Sequence, residues 1–148
     1  MMRRMLAALF LAGSVGTGVE LLLLEHVEEL RQQIPLFMIG LGSVALAALS
    51  FKPARATLRA FRATAGVFML SGVVGVWFHY RANVEFELEL QPDASGFHLF
   101  SEAMTGAMPA LAPGTMILLG ALGLTSTYRH PAGRAPRSLD SFSKEHVP

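Results

Sequence analysis

Four apolar runs, at residues 5–24, 34–51, 63–80 and 109–128, constrain this chain more than any other feature. At about 1.5 Å of rise per residue, a helix over each run covers most or all of the roughly 30 Å hydrocarbon core of a bilayer. Hydrophobic residues make up 52% of the 148 positions, too many for an ordinary soluble domain of this size. The expected fold is an all-α integral membrane protein, a four-helix transmembrane bundle forming a single membrane domain over residues 1–130. Residues 131–148 are rich in Pro, Ser and charge and poor in large apolar groups, which predicts a disordered cytoplasmic tail. Arg3 and Arg4 ahead of the first run also suit a signal peptide. The run is longer than such a region, however, and its small residues near Ser14 and Gly16 lie in mid-run, so it reads as an uncleaved span.

Orientation follows from Lys and Arg near the span ends. Arg3, Arg4, Lys52, Arg55, Arg59, Arg62, Arg129, Arg134, Arg137 and Lys144 fall on one side of a four-span topology, and only Arg31 and Arg81 on the other. Both termini are therefore expected in the cytoplasm. The acidic residues sort the opposite way, with Glu20, Glu25, Glu28, Glu29, Glu85, Glu87, Glu89, Asp93 and Glu102 outside. A preference for Arg over Lys, without an organelle-targeting pattern, points to a bacterial inner membrane. The four-span plan with an acidic outer loop resembles that of many small bacterial membrane proteins, and no functional residue is carried over from that likeness.

The external segment, residues 81–108, holds most of the polar chemistry. Val84, Phe86, Leu88 and Leu90 alternate with Glu85, Glu87 and Glu89, the period of a strand with one covered face or of an extended linker lying on headgroups. Pro92-Asp93-Ala94-Ser95-Gly96 reads as a turn. His98, Ser101, Glu102 and Thr105 then recur at helical spacing opposite Phe97, Phe100 and Met104, predicting a short amphipathic interfacial helix over 97–108.

Close helix packing in lipid relies on small residues. The runs carry them at Gly13, Gly16 and Thr17, at Gly40, Ser43 and Ala47, at Gly72 and Gly75, and at Gly120, Gly123 and Thr127. Glu20 extends the first of these stripes outward and His79 the third, so both are expected in the packed interior near the outer surface. An intramembrane carboxylate there calls for a partner, His79 or Arg81. With His98 and Glu102 at i, i+4, these residues form the candidate metal set Glu20, His79, His98 and Glu102, whose imidazole and carboxylate groups suit a divalent zinc, iron or manganese ion. The competing reading makes Glu20 and His79 a hydrogen-bonded staple of the bundle, bonded to each other or to Arg81 and Asn83.

Cysteine is absent, which excludes disulfides and thiolate chemistry. No phosphate-cradling loop, dinucleotide fingerprint or nucleophile elbow is present. The basic face of Arg55, Arg59 and Arg62 suits topology and anionic lipid rather than nucleic acid. Three functions remain. The first is a non-enzymatic accessory or scaffold protein in the bilayer, docking a protein partner or a second copy at its outer surface through Phe86, Phe97 and Phe100. The second is a small transporter or metal- or proton-handling protein with an external site near Glu20 and His79. The third is a membrane enzyme using His98 and Glu102.

Overall fold

The computed structural model describes residues 1–25, 30–106 and 113–133. Of the expected features, Glu28 and Glu29, the start of the fourth run at 109–112, the last residues of the 97–108 helix and the tail from residue 134 lie outside that range. Five α-helices and one 3₁₀ turn make up the described chain: α1 (Met2–Leu23), α2 (Leu30–Phe51), α3 (Arg55–Leu90), α4 (Gly96–Thr105), α5 (Gly114–Ser126) and the turn Pro131–Gly133. Three of them, α1, α2 and α3, are long and apolar enough to cross a membrane. Within their most apolar windows only 17%, 22% and 28% of residues are buried against protein, so most of that apolar surface needs lipid to cover it. α5 has 13 described residues, about 20 Å of helix.

The largest departure from the sequence reading lies in α3, which has 36 residues and runs straight through 84–90. That stretch is neither a strand nor an extended linker. A strand there would leave its backbone groups without a partner, whereas a helix already formed gains one internal hydrogen bond for each residue it adds. Glu, Leu and Ala favour this continuation, and Arg81 pairs with Glu85 at 3.2 Å across one turn. Pro92 ends it. The amide of Gln91 still reaches the Glu87 carbonyl (2.8 Å), and the amide of Ala94 closes a turn onto the Gln91 carbonyl (3.0 Å) around Pro92. Gly96 then opens α4 at φ +63°, a left-handed conformation suited to glycine. At the other end of α3, Pro53 separates it from α2, and Thr57 secures the first turn. Its hydroxyl accepts from the Ala54 amide (3.0 Å) and donates to the Lys52 carbonyl (2.7 Å).

α1 packs on α2 and α5, and α3 packs on α2, α4 and α5. In the middle, Phe10 meets Phe61 edge-on with ring centroids 5.4 Å apart and Phe68 at 5.6 Å, and all three rings are fully buried. Met38, Ile39, Leu49, Leu58, Met116 and Leu119 complete this core. The tightest approach is between α3 and α5. A methyl group at Gly120 would stand 2.5 Å from the Ala65 carbonyl oxygen, and one at Gly72 would stand 2.9 Å from the Pro113 oxygen. Gly75 and Gly123 also face the partner helix, so the small residues expected in the third and fourth runs do mediate packing.

In the first run Gly13 packs as expected, a methyl group there standing 2.7 Å from Leu119, but the other packing positions of the first two runs are shifted. A methyl group at Gly16 or Gly40 would meet nothing within 4 Å, whereas one at Gly42 would strike the Phe68 ring at 2.8 Å. The inward face of α1 is Phe10, Ser14 and Gly18. Glu20 lies two residues beyond Gly18, about 200° around the helix, and is exposed. The expectation that Glu20 reaches the packed interior is therefore corrected.

Gly120→Val should force α3 and α5 apart and cost roughly 1–3 kcal/mol by overpacking. Gly16→Val and Gly40→Val, in open space, should leave stability nearly unchanged. Unfolding midpoints of the three purified variants in mixed detergent check this, and equal midpoints would refute the close α3 to α5 approach.

Candidate functional site

Charge divides the described helices into two ends. The start of α1, the start of α3 and the end of α5 meet at one end, where Arg3 donates to the Arg129 carbonyl (3.2 Å) and Arg62 donates to the Thr127 hydroxyl (3.0 Å) and carbonyl (2.9 Å). At the other end, α3 continues past Tyr80 and carries α4 against its flank. A 36-residue helix measures about 54 Å, well beyond a bilayer core, so its last turns form a projecting arm.

Asn83 holds α4 to that arm. It lies on the inward stripe of α3 that runs through Leu58, Phe61, Ala65, Phe68 and Gly72, and it is 1% exposed. Its side-chain amide donates to the Ala103 carbonyl at 2.8 Å. Ala103 is in the last turn of α4, where helix carbonyls lack an internal donor, so a side chain from another helix satisfies a group that would otherwise be orphaned. Two small residues make room. Ala103 is fully buried, and a methyl at Gly106 would lie 3.0 Å from the Asn83 side-chain carbon.

Rings line the same junction. Trp77 stands 6.3 Å from Tyr80, Tyr80 stands 5.9 Å from Phe100, and Phe100 stands 6.1 Å from Phe97, an aromatic ladder from the membrane-length part of α3 onto α4. Its outer members are open: Phe97 is 82% and Phe100 47% exposed, and Phe86 is exposed farther along α3. Glu85, Glu89, Asp93 and Glu102 are exposed carboxylates on the same arm, its turn and α4, with Glu87 half-buried. The sole basic side chain on the described arm and α4 is that of Arg81, already paired with Glu85. The arm and α4 thus carry exposed rings together with a net negative charge.

The four proposed metal ligands are placed separately. His79 keeps its position on the inward stripe of α3, half-buried, with Nδ1 enclosed and without a hydrogen-bond partner. Glu20 is exposed on the outward side of α1, and His98 and Glu102 are exposed on α4. Among the described residues, no three histidine or carboxylate side chains stand together as a metal-binding group. The sequence reading named Asn83 only as a partner for a Glu20 and His79 staple and gave Trp77 and Tyr80 no role. Asn83 had a signal, since it falls one turn beyond His79 on the stripe that includes Gly72 and Gly75.

Replacing Asn83 with Leu should leave the Ala103 carbonyl unsatisfied, cost about 1–3 kcal/mol and release α4. Trp77 is the single tryptophan and stands at the foot of the ladder, so its emission reports the release. Hydrogen exchange should quicken across residues 96–106 while residues 58–72 stay protected. Unchanged protection of α4 would show that Asn83 does not hold it.

Comparison with family models, with curated proteins and with solved structures finds no match for this chain.

Proposed function

We propose that this protein is a small scaffold of the bacterial inner membrane, a four-span bundle with both termini in the cytoplasm, that presents the α3 arm and α4 outside as a docking platform. The observation that carries this reading is the buried hydrogen bond from Asn83 to Ala103, which fixes α4 rigidly enough to expose Phe97 and Phe100 at defined positions. A preorganised aromatic surface loses little side-chain freedom on binding, and aromatic anchors account for most of the affinity at protein interfaces. The exposed carboxylates of the arm and α4 select the occupant, a protein segment that pairs apolar side chains with Lys or Arg. The topology is supported by the Lys and Arg distribution and by the gathering of Arg3, Arg62 and Arg129 at one end of the helices.

The metal- or proton-handling alternative rests on His79, whose enclosed and unpaired Nδ1 could take a proton or a ligand. Its other proposed members stand exposed on separate helices.

Two measurements test the proposal. Reporter fusions after Gln33, Ala56, Ser95 and Ser138 should read out, in, out and in, and a cytoplasmic Ser95 would overturn the outer platform. A photocrosslinker at Phe100 should capture a partner through a segment rich in Lys or Arg, in a salt-sensitive manner. Phe97→Ala should weaken that capture by about 2 kcal/mol, roughly thirtyfold. Crosslinks only between copies of this chain would make the surface a self-association face, and crosslinks only to lipid would make α4 an anchor. Stoichiometric bound metal lost in the His79→Ala, His98→Ala double variant would replace docking with metal handling.

A further inference from the structure

At the opposite, basic end, a cleft of about 400 Å³ opens between Arg62, Arg129, His130 and Gly133. We propose that this cleft is a binding site for a phosphate-bearing anion, with Arg62, Arg129 and His130 as its ligands and Arg3 on its rim.

Charge imbalance comes first. Arg3, Arg62 and Arg129 converge here, and among the described residues the only ion pair is the distant one between Arg81 and Glu85. Like charges so gathered repel one another unless an anion joins them. The side chains are also prepared. Arg62 spends two of its five N–H donors on the hydroxyl and carbonyl of Thr127, a 1% exposed residue, and this fixes the plane of the guanidinium while three donors stay available. Arg129 adopts φ +49°, one of two left-handed non-glycine residues in the described chain, and lies over the Tyr128 ring at 5.4 Å. That backbone turn sends His130 and the Pro131–Gly133 turn back over the start of α3, where Gly133 reaches Leu58. A left-handed residue just past a helix end turns the chain sharply, and here the turn brings His130 beside Arg62.

The imidazole is oriented too. Nδ1 of His130 accepts from the Ala132 amide at 3.2 Å, so in the neutral ring Nε2 bears the hydrogen and acts as a donor. Burial, and then the positive charges of Arg3 and Arg62, hold the His130 pKa below its usual 6.5. An anion between these groups would reverse the Coulombic part of that shift. The fixed guanidinium of Arg62, a second guanidinium on Arg129 and one imidazole donor suit the several oxygens of a phosphate better than a flat carboxylate. Two sources share this chemistry, the headgroup of an anionic phospholipid and a soluble phosphate ester.

The test uses the full chain in detergent, freed of retained lipid. Thermal shift is followed while adding dioctanoyl phosphatidic acid, dioctanoyl phosphatidylcholine with the same tails, or inorganic phosphate. Stabilisation by phosphatidic acid and not by phosphatidylcholine is the result expected for a lipid source. Stabilisation by inorganic phosphate at similar concentrations assigns a soluble one. Arg129→Gln and His130→Gln, two independent variants in case one folds poorly, should each weaken the midpoint roughly tenfold, the loss of one charge-assisted hydrogen bond. Arg59→Gln, on the same basic face but away from the cleft, should not. In a proton titration by NMR, the anion should raise the His130 pKa in the wild-type chain. Equal weakening by Arg59→Gln would show diffuse attraction to a positive surface, and silence toward all three probes would remove the site.

Discussion

Backbone proximity between α3 and α5 is the contact on which the remaining architecture depends. At Gly120 the two helices are so close that even a methyl group would collide with the Ala65 carbonyl, and Gly72 repeats this closeness near the other end of the interface. In lipid, apolar side chains gain little by leaving one apolar neighbour for another, so association relies on dispersion across closely matched surfaces. Glycine gives that match. Once α5 is seated, Gly123 turns toward Phe10 and Phe61, Leu119 reaches Gly13 of α1, and Gly42 of α2 admits the Phe68 ring. That pair of glycine faces positions α1 by way of α5, while α2 is seated by its own contacts with α3 and α1.

The same contact organises both polar ends. Toward the basic end it places Thr127 where Arg62 can bond both its hydroxyl and its carbonyl, and the turn at Arg129 brings His130 alongside. Toward the acidic end it seats Pro113 against Gly75, one turn before His79 and two before Asn83. The α3 helix thus links two surfaces of opposite charge, its Arg62 and Asn83 standing about 32 Å apart along the helix axis. Across the membrane-length part between them, the described core contains no charged group.

The arm and α4 show how one hydrogen bond can define a surface. α4 has only 10 residues, too few for a stable helix in isolation. Its docking combines the fully buried Ala103, the ring contacts of Phe100 with Tyr80, and the Asn83 amide on the last turn. A buried amide with a satisfied partner selects one register of α4 on α3, because sliding by a residue would strand both groups.

Much of this was legible from local pattern. The apolar lengths of the first three runs, the turn at Pro92, the short helix with Phe97 and Phe100 on it, and the glycine faces of the third and fourth runs all depend on neighbours close in sequence, and each is found. The stretch 84–90 was misread because alternation of Glu with apolar residues fits a strand by period alone. With no strand beside it and a helix already running into it, the backbone satisfies its hydrogen bonds by continuing that helix. Glu20 was misplaced for a different reason. A stripe of small residues marks a face that could pack, but the rotation of α1 is set by Phe10 fitting between Phe61 and Phe68, and that turns Gly16 and Glu20 outward. Composition and periodicity thus determined a helical chain with membrane-length spans and a polar segment of opposite charge at each end. Tertiary structure decided which faces meet, that Asn83 secures α4, and that Arg62, Arg129 and His130 share one cleft, because these depend on contacts between residues 20 or more positions apart, which a one-dimensional pattern does not encode.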